Sequence, residues 1–209
     1  AEKGLPAAQK ELGVCYYDGK EVQQDYSLAV EWYRKAAEQG LAEAQYLLGH
    51  CYSRGLGIHR NTTEALAYYR KAAKQGFPKA LMILGHYYSK GCQGFPQDAT
   101  LAVACFRIAA ERGWMDAQSR LADCYYYGHG VQKNYEHAFT WYRKAAEQGC
   151  ANAQYLLGEC YYHGTGVEQD YAQALVWYRK AEAQGFDKAM PKVREITKNH
   201  MKNMNQQKT

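Results

Sequence analysis

No stretch of this 209-residue chain approaches the roughly 20 consecutive apolar residues that a membrane span needs. A large excess of charge of one sign is also missing: 26 basic against 21 acidic residues leave a net +5. That is too mild to imply nucleic acid without a clustered basic face. There is no Cys-x-x-Cys pair, and no segment assembles four tetrahedral metal ligands. The short Gly-x-Gly runs are not followed by the Gly-Lys-Ser/Thr of a phosphate loop. No Ser/His/Asp set or isolated carboxylate pair stands out, so catalysis has no visible nucleophile with an oriented base. Phenylalanine is scarce, at 5 residues, beside 20 tyrosines. Hydrophobic residues at 47% and charged residues at 22% are ordinary for a globular protein and exclude a disordered chain. The 7 cysteines are an odd number in a long chain and do not read as a disulfide framework.

What is present is repetition. WYRKAAEQG occurs at 32–40 and again at 141–149, and AQYLLG at 44–49 and 153–158. Gly13, Gly49, Gly85, Ala122 and Gly158 occupy one register, spaced 36, 36, 37 and 36 residues apart. The extra residue falls in the loop Gly91–Pro96. A period of this length signals a repeat array. Each unit reads as two helices. In the second unit Ala44, Leu47, Leu48, Cys51 and Tyr52 recur at helical spacing, Gly55-Leu56-Gly57 interrupts, and Ala65, Leu66, Tyr68, Tyr69 and Ala72 follow. Gly40, Gly76, Gly113, Gly149 and Gly185 fill a helix-terminal slot suited to a left-handed cap. The second turn glycine, at Gly57, Gly130 and Gly166, is replaced by Glu21 in the first unit, which points to a looser turn or a tolerated non-glycine conformation.

Basic pairs such as Arg34-Lys35, Arg70-Lys71, Arg143-Lys144 and Arg179-Lys180 lie near the ends of the second helices, where cations oppose the helix dipole. Arg34/Glu38, Arg107/Glu111 and Arg143/Glu147 are spaced to pair along a helix. Interleaved acids argue against a phosphate-tracking stripe.

The pattern A-x-x-x-L-G-x-C/Y-Y, then G-x-G-V, then A-x-x-W-Y-R-K-A-A-E-Q-G, resembles the Sel-one-like repeat (SLR), a relative of the tetratricopeptide repeat. The resemblance covers about residues 1 to 190. It implies an all-α fold: a right-handed α/α superhelical solenoid of about five 36-residue repeats, with the first helices lining a concave surface. It also implies a non-catalytic adaptor that holds proteins or peptides, without a cofactor. Some cysteine-rich relatives staple helix pairs with two cysteines eight residues apart; Ala37 and Gln45 stand at those positions here. Many bacterial members are exported, so a periplasmic or secreted location is the leaning, with the compartment left open.

A single repeat domain is expected over 1–200, followed by a polar tail over 201–209. Ala1-Glu2-Lys3-Gly4 resembles the end of a second helix, as in a chain cut within a repeat by maturation or by design. Asp187 to about His200 reads as an extra helix, with Pro191 in its first turn and Lys192, Arg194, Glu195 and Lys198 giving the polar outer face of a cap.

Within the first helices, one stripe is uniform: Ala8/Leu12/Cys15/Tyr16, Ala44/Leu48/Cys51/Tyr52, Ala80/Leu84/Tyr87/Tyr88, Ala117/Leu121/Cys124/Tyr125 and Ala153/Leu157/Cys160/Tyr161. This is the expected packing face. Trp32, Tyr68, Trp141 and Trp177, with Tyr33, Tyr69, Phe106, Tyr142 and Tyr178, are its aromatic partners on the second helices, and Cys105 replaces the tryptophan in the third unit. A second stripe varies and is expected to point away from its own second helix. It holds the candidate partner-binding residues Tyr17, Tyr46, His50, Met82, His86, Asp123, Tyr126, Tyr155, Glu159 and Tyr162. Tyrosine and methionine suit binding surfaces. Packing of these rings against neighbouring first helices, through tight superhelical curvature, is the alternative. Charge is graded along the face, with Lys10, Arg54 and Lys90 early and Asp116, Asp123 and Glu159 late.

The same-slot cysteines Cys15, Cys51, Cys124 and Cys160 read as small core residues, because packed helices lie farther apart than a disulfide allows. Cys92 and Cys150 read as loop thiols, and a Cys92–Cys105 bridge is open. Asn61-Thr62-Thr63 matches a glycosylation acceptor. Three functions compete: a protein- or peptide-binding scaffold, a bacterial surface or virulence factor engaging a host protein, and a hydrolase like those suggested for cysteine-rich relatives. The residues favour the first, with no nucleic acid and no membrane insertion.

Overall fold

The computed structural model describes residues 4–91 and 96–206, the last eight by backbone alone. Among the described residues every regular element is a helix. Ten helices of 13 residues form five pairs: α1 (Pro6–Asp18) and α2 (Tyr26–Glu38), α3 (Ala42–Arg54) and α4 (Thr62–Lys74), α5 (Pro78–Lys90) and α6 (Ala99–Glu111), α7 (Met115–Tyr127) and α8 (Tyr135–Glu147), α9 (Ala151–His163) and α10 (Tyr171–Ala183). An eleventh, α11, spans Ala189–Gln206, so it runs past the expected end near His200 and into the presumptive tail. The chain divides into two compact units, Ala1–Ala109 and Ala110–Thr209. The first holds α1 to α5 and most of α6; the second holds α7 to α11.

Local signals set the helix ends. Each second helix starts on an acceptor side chain: Asp25, Asn61, Asp98, Asn134 and Asp170 accept a backbone N–H two or three residues on, at 2.8–3.1 Å. Such caps are each worth roughly 1 kcal/mol. Asn61 therefore serves as the cap of α4. First helices start after an apolar residue with no side-chain cap. Between α2 and α3 the reversal takes only Gln39, Gly40 and Leu41: Gly40 N–H donates to Ala37 O and Leu41 N–H to Ala36 O, with Gly40 at φ 90. This closes the helix end in the left-handed form that glycine adopts without strain.

Within each unit a first helix packs against its own second helix and against the second helix of the preceding repeat. In the first unit Ala44, Leu48 and Cys51 of α3 close on Ala29, Val30, Tyr33 and Ala36 of α2. In the second, Ala153, Leu157 and Cys160 of α9 close on Ala138, Tyr142 and Ala145 of α8. The ring of each core tyrosine lies on the backbone of its own first helix. A Cβ at Gly49 would meet the Tyr69 ring at 3.0 Å, and one at Gly13 the Tyr33 ring at 2.6 Å. This close approach explains the recurrent Leu-Gly pair.

The uniform stripe is not uniformly buried. Ala44, Ala80, Ala117 and Ala153 are fully buried, but Ala8 is exposed and Leu12 and Cys15 only half-buried. Among the described residues no helix precedes α1 or covers that face. The third repeat departs as its Cys105 suggests: Leu101 and Ile108 are exposed on α6 near half-buried Cys105.

The second-helix lysines have a specific place. Lys35, Lys144 and Lys180 lie 3.8–4.2 Å from the ring centres of Trp32, Trp141 and Trp177, and Lys71 lies 4.8 Å from Tyr68. They cover the aromatic rings as well as the helix ends. Arg143 and Glu147 approach to 3.9 Å, whereas Arg34 donates to the Tyr52 hydroxyl at 3.4 Å.

The six described cysteines are free thiols. Burial pushes the Cys51 and Cys160 thiols up to about 12 and those of Cys105 and Cys124 up to about 11. At neutral pH these four are protonated and poorly nucleophilic. Cys150 is half-buried and packs beside the core of α8 and α9. Cys92 lies outside the described residues, and the Cys92–Cys105 pairing with it.

Candidate functional site

The ten candidate residues fall five in each unit, all half-buried. Their face does not point away from the second helices. Tyr17 packs on Tyr26 and Tyr33 at 5.2 and 6.4 Å, Tyr46 on Tyr69 at 5.8 Å and His86 on Phe106 at 5.8 Å. In the second unit Tyr126 meets Tyr142 at 6.3 Å and Tyr155 meets Tyr178 at 5.6 Å. The expectation fails because the core tyrosine rings lie across the glycine between the two stripes and reach the edge of the variable one. The rings are braced from below and open at the rim. Tyr46 and Tyr155 are further braced by Phe77 and Phe186, both at 5.3 Å. Met82 is half-buried on the same face of α5.

The polar members of the face answer the core hydroxyls. Tyr142 donates to Asp123 at 2.7 Å, and Tyr178 donates to Glu159. Tyr69 donates to Ser53 at 3.3 Å. Phe106 has no hydroxyl, and its repeat carries His86 at the corresponding position. Asp123 and Glu159 thus satisfy core groups first. Burial holds the Asp123 carboxyl above the usual carboxylate range, against the opposing pull of Tyr142 and Arg120.

A raised folded-state value means that the folded chain binds more protons than the unfolded chain between the two values. Stability contributed by this group therefore falls as pH rises through that window and stays low above it. Asp123→Asn keeps an acceptor for Tyr142 and removes the buried charge. It is expected to raise the melting temperature at pH 7 and to leave it nearly unchanged at about pH 3, below the ordinary aspartate value, where the carboxyl is protonated in folded and unfolded chains alike. Thermal unfolding of both proteins at the two pH values checks this.

At the far end of the second unit the face is partly occupied by α11. Lys192 lies 3.4 Å from Glu159 and 4.6 Å from the Tyr162 ring centre, and Glu195 accepts from the Tyr162 hydroxyl at 2.7 Å. Lys192 and Glu195 therefore contact α9; Lys192 is half-buried, while Arg194, Glu195 and Lys198 are exposed. Tyr162 and Glu159 are contacts of the capping helix, leaving Tyr126, Tyr155 and their neighbours as the open part.

One recurring polar group escaped the sequence reading. Gln45, Gln118 and Gln154 are buried and donate to the carbonyls of Ala37, Ala110 and Ala146 at 3.1–3.2 Å. Each accepts from a glutamine at the end of its own second helix: Gln75, Gln148 and Gln184, at 2.7–3.0 Å. Gln39 and Gln9 repeat this second bond at 2.6 Å. In the third repeat Leu81 and Arg112 replace both glutamines together, leaving no half-satisfied pair. The signal was a polar residue at one fixed repeat position on a buried arc.

Among the described residues no helix is long and apolar enough to cross a membrane. The Sel1 repeat model matches residues 6–41, 42–77, 78–114, 116–150 and 151–186. A crystal structure of a protective antigen present in uropathogenic Escherichia coli strains, displaying an SLR fold, is 36% identical with a TM-score of 0.88. The match covers 93% of this chain and 41% of that one, so the present chain spans less than half of its length. A Sel1 repeat protein from Oxalobacter formigenes is 38% identical over 90% of this chain and 74% of its own, with a TM-score of 0.80. An immunity protein from Pseudomonas aeruginosa is 25% identical over 88% of this chain and 67% of its own, with a TM-score of 0.52. Comparison with curated proteins gives no match.

Proposed function

The chain belongs to the Sel1 repeat family, whose members generally serve as protein-interaction scaffolds, and from that premise we propose that it is a non-catalytic adaptor binding protein or peptide segments on the exposed rims of its first helices. One observation carries the reading: Tyr46, Tyr126 and Tyr155 are held by rings beneath them yet remain open above. Side chains already fixed before binding lose little conformational entropy when a partner arrives. Tyrosine adds large contact area and a hydroxyl. The four thiols kept protonated at neutral pH and the carboxylates engaged with core hydroxyls support a role without chemistry.

The test is affinity capture with the purified chain, followed by titration of the recovered partner after that partner has been purified. The triple variant Tyr46→Ala, Tyr126→Ala, Tyr155→Ala is expected to weaken binding at least about tenfold, the scale of one lost hot spot. Because these rings also brace the core, the Tyr→Phe triple is measured alongside and keeps the packing. If both variants remain folded and bind within twofold of wild type (about 0.4 kcal/mol), the face assignment is wrong. A second reading draws on the uropathogenic E. coli protein described as a protective antigen: the partner belongs to a host. Capture performed in parallel from host extract and from the producing cell separates the two.

A further inference from the structure

In the first unit a cleft of about 660 Å³ opens between α3 and α5. Its charged and ionisable chemistry is largely of one sign: Arg54, Arg60, Lys90, His50 and His86 line it, and none of its lining residues is acidic. Tyr69 and Ile83 supply apolar wall. No ion pair among the described residues engages Arg54, Arg60 or Lys90. Lys10 on α1, by contrast, is already paired with Glu11 and Glu43.

The cluster is not a by-product of helix termini. Arg54 and Lys90 close α3 and α5, and the same repeat position holds Asp18, Tyr127 and His163 in the other three repeats. His50 and His86 stand where the other repeats place Val14, Asp123 and Glu159. Arg60 stands where the first, third and fifth repeats place a glutamine that ties the turn to the preceding helix (Gln24 donates to Tyr17 O, Gln97 to Ser89 O and Gln169 to Tyr162 O, at 2.7–3.0 Å), and the fourth repeat carries Lys133 there. The second repeat thus carries a cation or an ionisable nitrogen at all three positions, and the adjacent third repeat at two of them. Burial and the nearby Arg54 hold His50 below its ordinary value, as expected inside an already positive cleft. Like charges gathered without counter-charge raise the free energy of the empty site, and an incoming anion relieves it.

We propose that this cleft receives the acidic side chains of an extended peptide segment from a partner protein. The inference rests on the scaffold reading and names the chemistry of the ligand. A glutamate or aspartate fits the composition: its carboxylate meets the arginine forks and its methylene stem meets Tyr69 and Ile83. A duplex or single-stranded nucleic acid calls for cations along a continuous track, and these five are confined to one cleft. The volume suits several side chains rather than one small ion.

Fluorescence anisotropy of fluorescein-labelled hexaglutamate and hexaglutamine against the full chain tests the proposal. In about 50 mM salt, hexaglutamate is expected to bind with Kd below about 1 mM, and hexaglutamine at least about tenfold more weakly. The Arg54→Gln, Lys90→Gln double variant should lose at least about tenfold in hexaglutamate affinity, and about 0.5 M salt should weaken the wild-type complex similarly. Lys133→Gln, in the second unit, should leave binding unchanged. Both cleft residues are exposed, and circular dichroism confirms that the double variant is folded; Arg54→Lys, Lys90→Arg retains charge and should retain binding. Absence of hexaglutamate binding, equal binding of both peptides, or insensitivity to the double variant overturns the proposal. So does displacement of hexaglutamate by equimolar inorganic phosphate or by an oligonucleotide, which would assign the cleft to phosphate. If the tyrosine variants abolish partner binding while these results are negative, the scaffold reading stands and only the acidic ligand falls.

Discussion

Gly166→Ala is expected to destabilise the second unit by about 2–5 kcal/mol, whereas Gly149→Ala in the same unit should cost only about 1–2 kcal/mol. Both glycines have positive φ, 72 and 97, so each alanine carries the left-handed penalty. The difference lies in what a Cβ would meet. At Gly166 it would fall 2.2 Å from the carbonyl oxygen of Tyr135 and 2.4 Å from its carbon, at the start of α8 in the preceding repeat. Backbone cannot move aside as a flexible side chain can. At Gly149 nothing lies within 4 Å. Gly57 repeats the close approach in the first unit, 2.2 Å from the Tyr26 carbonyl. Glu21 fills the same repeat position at φ 61 and is exposed, because no described helix precedes α1 to be struck. The first turn therefore tolerates a side chain instead of loosening. Urea unfolding of the two variants measures the contrast; equal losses would mean that the inter-repeat contact is soft.

Leu48→Ala is expected to cost about 3–5 kcal/mol, and Leu12→Ala, at the same repeat position, about 1–2 kcal/mol. Leu48 is fully buried and packs among Ala29, Val30, Tyr33 and Ala36. Truncation there removes the buried methyls and leaves a cavity that α2 and α3 cannot close, since their spacing is held by buried alanines and by the ring of Tyr33. Leu12 is half-buried, so water already reaches the space its side chain would vacate. Nearest-neighbour coupling in repeat proteins places the damage locally. Hydrogen exchange should show lost protection in α2 to α4 for Leu48→Ala and mainly in α1 for Leu12→Ala. Similar losses at both positions would show that the two ends of the interface are equally closed.

The register of the helix pairs was legible because each signal is local. Left-handed glycines such as Gly40, the small and large apolar residues at helical spacing, and the interrupted second turn all speak to the nearest few residues. The five asparagine or aspartate caps were equally local, and a search for acceptors just before each second helix finds them. The candidate face was read less well. A helix packed on one side buries one arc, but α3 and α9 are packed on two. The core tyrosines reach round over Gly49 and Gly158, so rings expected to point away from their own second helices are braced by them. Asp123 and Glu159 looked like the acidic end of a ligand gradient; each is first the acceptor for a tyrosine from its own second helix. Tyr162 looked free until α11 folded over it.

Periodicity, helix boundaries, turn chemistry and the list of residues able to form a core are properties of the linear chain, because each depends on spacing and on backbone preference within a few residues. Burial depends on what lies alongside. Only the folded chain separates Ala8 from Ala44, makes Gln45 and Gln75 partners across 30 residues, and brings Arg54, Arg60 and Lys90 to one cleft without a counter-charge. Identical sequence slots acquire different environments because the repeat is copied and its neighbours are not.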